Sequence, residues 1–152
     1  MIRVSLASTD DVAGIVALVE QYWRFEQLAG FDAERVTGQL ARLLAAPGLG
    51  HGWVARSDDC VVGYLLLVFV FSLENLGVTA EIDEFFVQPA HRGRGLGAQL
   101  LAAAEAACAR AGCTNISLQL ERGNHAARRF YSRHGYTGRE RFELLEKDLP
   151  GV

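Results

Sequence analysis

A glycine-rich basic turn joins an apolar segment to a helical one near the middle of the chain. Its glycines alternate with charged and apolar residues, in the order Arg92, Gly93, Arg94, Gly95, Leu96, Gly97, Ala98. Glycine lets the backbone approach a ligand closely, and the first N–H groups of a helix favour anions. Because two arginines add positive charge, the turn is predicted to bind a pyrophosphate.

Two other nucleotide-binding turns fit this segment less well. Gly93, Gly95 and Ala98 match the dinucleotide fingerprint loosely, but residues 88–92 separate the strand from the first glycine. No Lys-Ser or Lys-Thr pair follows the last glycine, as the P-loop of an ATPase requires. A nicotinamide-dependent enzyme is therefore a disfavoured alternative, which tight binding of NAD would revive.

The pattern Arg92-x-x-Gly95-x-Gly97 after an apolar strand resembles the pyrophosphate turn of the GNAT superfamily, the acyl-CoA-dependent N-acetyltransferases. A second segment resembles the helix pattern of that family, with Asn124, Ala127, Tyr131, Gly135 and Tyr136 at the matching positions. The two motifs stand in the family's order with a predicted strand between them. The specific part of the resemblance covers about residues 81–136.

The resemblance implies that acetyl-CoA is the cosubstrate and that main-chain atoms hold it. Amides of residues 93–98 would bind the pyrophosphate, and main-chain atoms of Phe86 and Val87 would pair with the pantetheine arm. Asn124 would contact the pantetheine or adenosine side, and the Tyr131 hydroxyl would protonate the CoA thiolate. Simpler roles for the last two are a helix N-cap and a core aromatic.

Three acids, Glu81, Asp83 and Glu84, interrupt an otherwise apolar predicted strand. Because side chains alternate along a strand, Glu81 and Asp83 are expected on one face and Glu84 on the other. Buried acids are costly unless they are used or paired. The resemblance implies that Glu81 or Glu84 accepts the amine proton; alternatively, the acids only pair with arginines and the enzyme has no dedicated base.

Acidic and aromatic residues occupy the segments that line the acceptor site in the family. The candidates for substrate binding are Tyr22, Trp23, Glu26, Glu74 and Asp83. Carboxylates beside aromatic rings suit a positively charged amine, although an ordinary amphipathic helix would equally explain Trp23 and Glu26. The predicted function is direct transfer of acetyl to a primary amine of a small cationic molecule. Acetylation of a protein lysine or N-terminus, and a non-catalytic CoA-binding regulatory module, are the alternatives.

The composition indicates one globular domain spanning residues 1–152, with half of the residues hydrophobic and 22% charged. The net charge of −3 disfavours a nucleic-acid partner. No apolar run reaches the roughly 18 residues of a membrane span, so a cytoplasmic location is expected. Cys60, Cys108 and Cys113 show no C-x-x-C spacing and the histidines no ligand pattern, so reduced thiols and no metal are expected.

Hydrophobic periodicity predicts a series of strands and helices. Their order resembles that of the GNAT fold, and the resemblance implies an α/β architecture (α+β mixed sheet) with a central, mixed, twisted sheet flanked by helices. The predicted strands are residues 2–6, 52–56, 61–73, 79–87, 115–121 and 142–147. Helices are predicted from about residue 10 and at residues 32–44, 95–110 and 124–134. The strand–helix–strand order around the glycine turn implies parallel pairing there. The apolar residues 64–73 are a candidate contact of a homodimer.

Overall fold

The computed structural model describes residues 1–151. Its elements in chain order are β1 (Ile2–Leu6), α1 (Val12–Phe25), α2 (Ala33–Ala45), β2 (Gly50–Ser57), β3 (Cys60–Ser72), β4 (Gly77–Val87), α3 (Leu96–Arg110), β5 (Ile116–Leu118) and α4 (His125–Arg133). The residues up to Gln119 form one compact unit, and a second unit begins at Leu120. No helix among residues 1–151 is both long and apolar enough to cross a membrane.

The five strands form one sheet in the order β1-β2-β3-β4-β5. The first three pairings are antiparallel, and β4 and β5 run parallel because α3 connects them. Helices α1 and α2 pack on one face, against Val54, Tyr64, Leu66 and Phe86. Helix α3 contacts β1 to β4, and the fully buried Leu65 points to its face of the sheet. The predicted mixed sheet with flanking helices is confirmed.

Local signals fix the entries of α1 and α2. Ser8 and Asp11 form a capping box before α1, with the Ser8 N–H donating to Asp11 Oδ2 at 2.8 Å. The Arg56 guanidinium on β2 pairs with the other oxygen of this buried carboxylate, which ties the helix entry to the sheet. Asp32 caps α2 by accepting the Arg35 N–H at 3.1 Å.

A β-bulge interrupts β4 at Asp83. Leu66 on β3 lies opposite Glu84, whereas the next residue, Leu67, lies opposite Ile82. Asp83 is therefore the extra residue of the bulge. Since Glu81 lies opposite Val68 and Glu84 opposite Leu66, both glutamates project from the face that α1 and α2 cover. The expectation that Glu81 and Glu84 lie on opposite faces is wrong, because the bulge shifts the alternation by one residue.

Strand β5 is shorter than the predicted residues 115–121. It pairs with β4 only between Ala80 and Ile82. Past this point β4 enters the bulge, and the two strands have no further register. The end of β4, residues 83–87, is thus paired with β3 on one side and with no described strand on the other.

The strand predicted at residues 142–147 is wrong, because the structure has no strand after β5 within residues 1–151. Apolar side chains alternate there, but a strand also needs a hydrogen-bonding neighbour. Phe142 and Leu144 are 51% and 59% exposed. The Phe142 ring is instead stacked by the guanidinium groups of Arg139 and Arg141, at 4.2 and 4.9 Å from its centroid.

Candidate active site

The Glu84 carboxylate is held at both oxygens by neighbouring side chains. Trp23 Nε1 on α1 donates to Oε2 at 2.8 Å, and the Tyr64 hydroxyl on β3 donates to Oε1 at 2.9 Å. Tyr64 is fully buried, so its ring fixes the hydroxyl firmly. Each carboxylate oxygen has a second acceptor position, so Glu84 keeps the capacity to take a proton.

Desolvation makes the acids at the bulge stronger bases than they would be in water. Burial raises the pKa of Glu84, and only in part do the hydrogen bonds from Trp23 and Tyr64 offset it. Loss of solvent, followed by repulsion from Glu81, also raises the pKa of Asp83. Burial and the nearby Glu84 raise the pKa of Tyr64 above its usual value, so its hydroxyl stays a donor.

A cavity of about 420 Å³ opens beside Asp83 and Glu84. Helices α1 and α2 wall it, and the sheet forms its floor. Its lining residues are Val19, Trp23, Gly30, Asp32, Arg35, Val36, Gln39, Leu40, Leu43, Leu66, Asp83 and Glu84. An apolar cavity of this size with a few converging polar groups is typical of a small-molecule site.

The predicted substrate residues divide into two groups. Trp23 and Asp83 line the cavity, whereas Tyr22, Glu26 and Glu74 are absent from its described lining. The Tyr22 ring packs edge-on against Phe86, with centroids 6.0 Å apart. Glu26 is the C-cap residue of α1, and Glu74 lies in the turn between β3 and β4.

Sequence reasoning missed Tyr64, Arg35 and Gln39. Arg35 and Gln39 follow Asp32 at helical spacing beside the apolar stripe of α2, so the three were recognisable as one helix face. Tyr64 also gave a signal, because a tyrosine in a fully apolar strand needs a partner for its hydroxyl. Glu81 lies farther along β4 and accepts a long hydrogen bond from Gln119 Nε2 at 3.4 Å.

The glycine turn has the backbone that an anion site needs. Gly93 and Gly95 adopt φ values of +74° and +77°, and a Cβ at either position would meet no protein atom within 4 Å. The glycines thus serve the left-handed backbone and leave open space over the turn. The N-cap residue of α3 is Gly95, so no side chain caps the first N–H groups of this helix. The turn and the N–H groups at the start of α3 therefore fit a pyrophosphate.

Arg92 and Arg94 behave differently. The Arg94 side chain is exposed beside the turn. Arg92 Nε instead donates to the Val87 carbonyl at 2.8 Å. Its guanidinium lies 5.3 Å from the Phe25 ring centroid and 5.4 Å from that of Phe86. Arg92 therefore clamps the end of β4 to the end of α1.

The main chain of Val87, rather than that of Phe86, faces away from β3. The Gln88 N–H donates to the Val62 carbonyl at 2.9 Å. Because hydrogen bonding alternates along an antiparallel pair, the polar groups of Phe86 point to Tyr64 on β3. Those of Val87 point to the opposite side, where β5 has already diverged. Phe86 contributes a buried ring to the core that supports this edge.

The second unit contains the other motif. The Asn124 side chain caps α4 by accepting the Ala127 N–H at 3.1 Å. The Tyr131 ring packs near Phe130 and Tyr136, with centroid distances of 5.3 and 5.5 Å. Burial raises the pKa of Tyr131 to about 12, so its hydroxyl stays protonated at neutral pH. Among residues 1–151, no three His, Cys, Asp or Glu side chains are grouped to hold a metal ion.

Known proteins match the chain over most of its length. The model of the acetyltransferase (GNAT) family matches residues 9–136. An aminoalkylphosphonate N-acetyltransferase of Salmonella typhimurium is 33% identical over 132 residues, which is 86% of this chain and 81% of that protein. An integron cassette protein from the mobile metagenome of Cole Harbour salt marsh has a TM-score of 0.85 and 28% identity, covering 98% of this chain and 92% of the other.

A solved aminoglycoside N-acetyltransferase in complex with CoA has the same fold. Its TM-score is 0.84 at 17% identity, over 98% of this chain and 96% of the other. The chain belongs to the GNAT family of acetyltransferases. It is an acetyl-CoA-dependent N-acetyltransferase, which confirms the predicted family, fold, enzyme class and cosubstrate.

Proposed function

We propose that the chain transfers acetyl from acetyl-CoA directly to the primary amine of a small, positively charged molecule. The main support for this proposal is the Glu84 carboxylate, which Trp23 and Tyr64 hold in a cavity at the bulge of β4. At this bulge β4 loses its pairing with β5. The proton acceptor thus stands where the strand edge becomes available to a thioester.

Glu84 accepts a proton from the ammonium group, and Asp83 helps to hold the cation. The neutral amine then attacks the thioester carbon, and the C–N bond forms as the C–S bond breaks. The nitrogen loses its second proton to solvent, and Glu84 releases the first proton to solvent before the next turnover. The raised pKa of Glu84 suits this task, because a stronger base removes the proton more readily. The Val87 N–H, which faces the open edge of β4, is placed to donate to the thioester carbonyl oxygen.

The pyrophosphate of the cofactor is assigned to the glycine turn, and the family motif on α4 supplies the candidate acid. Main-chain N–H groups of residues 93–98 bind the pyrophosphate, Arg94 adds charge, and Arg92 acts through Val87 and Phe25. Asn124 orders the first turn of α4. Tyr131, protonated at neutral pH, gives its proton to the departing thiolate and regains one from solvent. Replacing Tyr131 with Phe should slow turnover and leave CoA affinity largely intact; equal kinetics would remove Tyr131 from the mechanism.

Two observations favour a small acceptor over a protein. The cavity is walled by α1 and α2 and is lined by side chains such as Val19, Val36 and Leu40, and its volume of about 420 Å³ is in the range of small-molecule sites. A relative at 33% identity is named for transfer to aminoalkylphosphonates, which are small amines.

The first experiment measures CoA release from acetyl-CoA against polyamines, amino acids, aminoglycosides, aromatic amines and short peptides. Turnover with one class of small amine, lost in Glu84→Gln, is the expected result. Turnover with peptides alone would replace the small amine by a protein acceptor. Turnover with small amines that is unchanged in Glu84→Gln would remove Glu84 as the base.

A further inference from the structure

Arg35 places a positive charge in a cavity whose other charged lining groups are carboxylates. It lies in the first turn of α2, three residues after the N-cap Asp32. Its side chain lines the same cavity as Asp83 and Glu84. No ion pair joins Arg35 to a carboxylate of residues 1–151. The chain thus offers a guanidinium with its donors available at the wall of a binding cavity.

Opposite charges stand on different walls of this cavity. Asp83 and Glu84 project from β4, whereas Arg35 belongs to α2. Apolar side chains share the lining with them, namely Val19, Val36, Leu40, Leu43 and Leu66. This arrangement is complementary to a short alkyl chain with an ammonium group at one end and an anionic group at the other.

We propose that the acceptor is an aminoalkyl acid, with its amine at Asp83 and Glu84 and its oxyanion on Arg35. The inference rests on the proposed function, which places a positively charged amine at the acids of the bulge, and it replaces the net cation of that proposal with a zwitterion. A guanidinium presents a planar set of donors that matches a carboxylate or phosphonate in a bidentate manner. The positive end of the α2 dipole adds to this preference.

Asp32 supplies the opposing charge at the same wall. Its Oδ1 already accepts the Arg35 N–H, which engages it in capping α2. A diamine would use Asp32 as a second carboxylate, whereas an aminoalkyl acid is repelled by it and attracted by Arg35. Substitutions at the two positions therefore have opposite expected effects, which makes the proposal sharply testable.

The experiment compares three acceptors of matched chain length: δ-aminovalerate, cadaverine and pentylamine. In the wild type, kcat/KM should be about 10-fold higher for δ-aminovalerate than for pentylamine, the size of one charge-assisted contact. Arg35→Ala should remove this preference, so that the ratio of kcat/KM for δ-aminovalerate to that for pentylamine falls to about 1. Asp32→Asn, which retains a good N-cap, should increase it. Arg42→Ala on the same helix, outside the cavity lining, is the matched control and should preserve it.

Calorimetric titration of δ-aminovalerate and an aminoalkylphosphonate gives a readout that does not depend on turnover. Both should bind about 10-fold more weakly to Arg35→Ala than to the wild type. Equal affinity in the two proteins, or a wild-type preference for cadaverine, would overturn the proposal. If Glu84-dependent acetylation of pentylamine persists in that case, the proposed function stands and only the role of Arg35 fails.

Discussion

The two halves of β4 carry the same kind of sequence but do different work. Residues 77–82 are paired with β3, and residues 80–82 are also paired with β5; Ala80 and Ile82 are buried there. The other half begins with the bulge residue Asp83, and residues 84–87 are paired with β3 alone, which leaves an open edge at Val87. The change occurs within one residue, at the bulge.

In the second half, β4 has lost its pairing with β5, and its free edge lies beside the candidate active site. The paired half fixes the strand by burial, and the open half presents a carboxylate and polar main-chain groups to ligands. Bulges recur beside active sites because they redirect side chains without interrupting the strand. Substitutions in the two halves are therefore expected to separate stability from activity.

The largest effect is expected from Glu84→Gln in the open half. Removing the base should lower kcat/KM by about 10²- to 10⁴-fold. Because burial raises the native pKa of Glu84, its ionisation weakens the fold as pH rises through that pKa. Glu84→Gln should thus gain stability relative to the wild type with rising pH, as urea unfolding at several pH values would show. Exposed Glu34→Gln is the control, and equal kinetics of both variants would contradict the role of Glu84.

The next largest effect is expected from Ile82→Ala in the paired half. Deleting this buried side chain should lower the free energy of unfolding by about 2–5 kcal/mol. Below its melting temperature the variant should lose far less kcat/KM than Glu84→Gln. Val78→Ala, at a position 44% exposed in the same half, is the control. A loss of activity in Ile82→Ala as large as in Glu84→Gln would show that the halves are not separable.

Tyr64→Phe should shift the pH dependence of kcat/KM to higher pH. The Tyr64 hydroxyl stabilises the ionised Glu84 by donating to it, and so lowers its pKa against desolvation. Without this donor the native pKa of Glu84 rises further. The rising limb of kcat/KM against pH should therefore shift to higher pH. An unshifted limb would mean that Glu84 does not control it.

The smallest effect on stability is expected from Gly95→Ala. A residue with a side chain at φ +77° is strained by about 1 kcal/mol. Its Cβ would also enter the open space over the turn, so affinity for CoA should fall more than stability does. Gly38→Ala, within α2 and with no atom near its Cβ, should instead stabilise by about 0.5–1 kcal/mol. Unchanged CoA affinity in Gly95→Ala would contradict the proposed pyrophosphate site.

Sequence reasoning succeeded where the signal is local. The glycine-rich turn before α3 and the capping by Asn124 depend on residues a few positions apart. It failed where two distant segments must be compared. The bulge at Asp83 is a property of the register between β3 and β4, so the shared face of Glu81 and Glu84 could not be read from alternation. The same holds for the alternating segment after residue 141, whose apolar spacing does not supply a partner strand.

The sequence allowed some residues of the site to be named, but not the contacts between them. Glu84 and Trp23 were named as candidates, yet their hydrogen bond spans 61 positions of sequence. Tyr64 completes that contact from β3, and Arg35 enters the cavity from α2. Their roles depend on how helices pack over the sheet, which a single sequence does not encode in its spacing.

Arg92 gives the molecule a route for cooperativity. One side chain touches the carbonyl that ends β4, the ring of Phe86 beneath it and Phe25 at the end of α1. Helix α1 also walls the amine cavity through Val19 and Trp23. A ligand in the glycine turn that displaced Arg92 would therefore also change the contacts of that helix. Thermodynamic linkage then requires the amine to alter cofactor affinity by the same factor as the cofactor alters amine affinity.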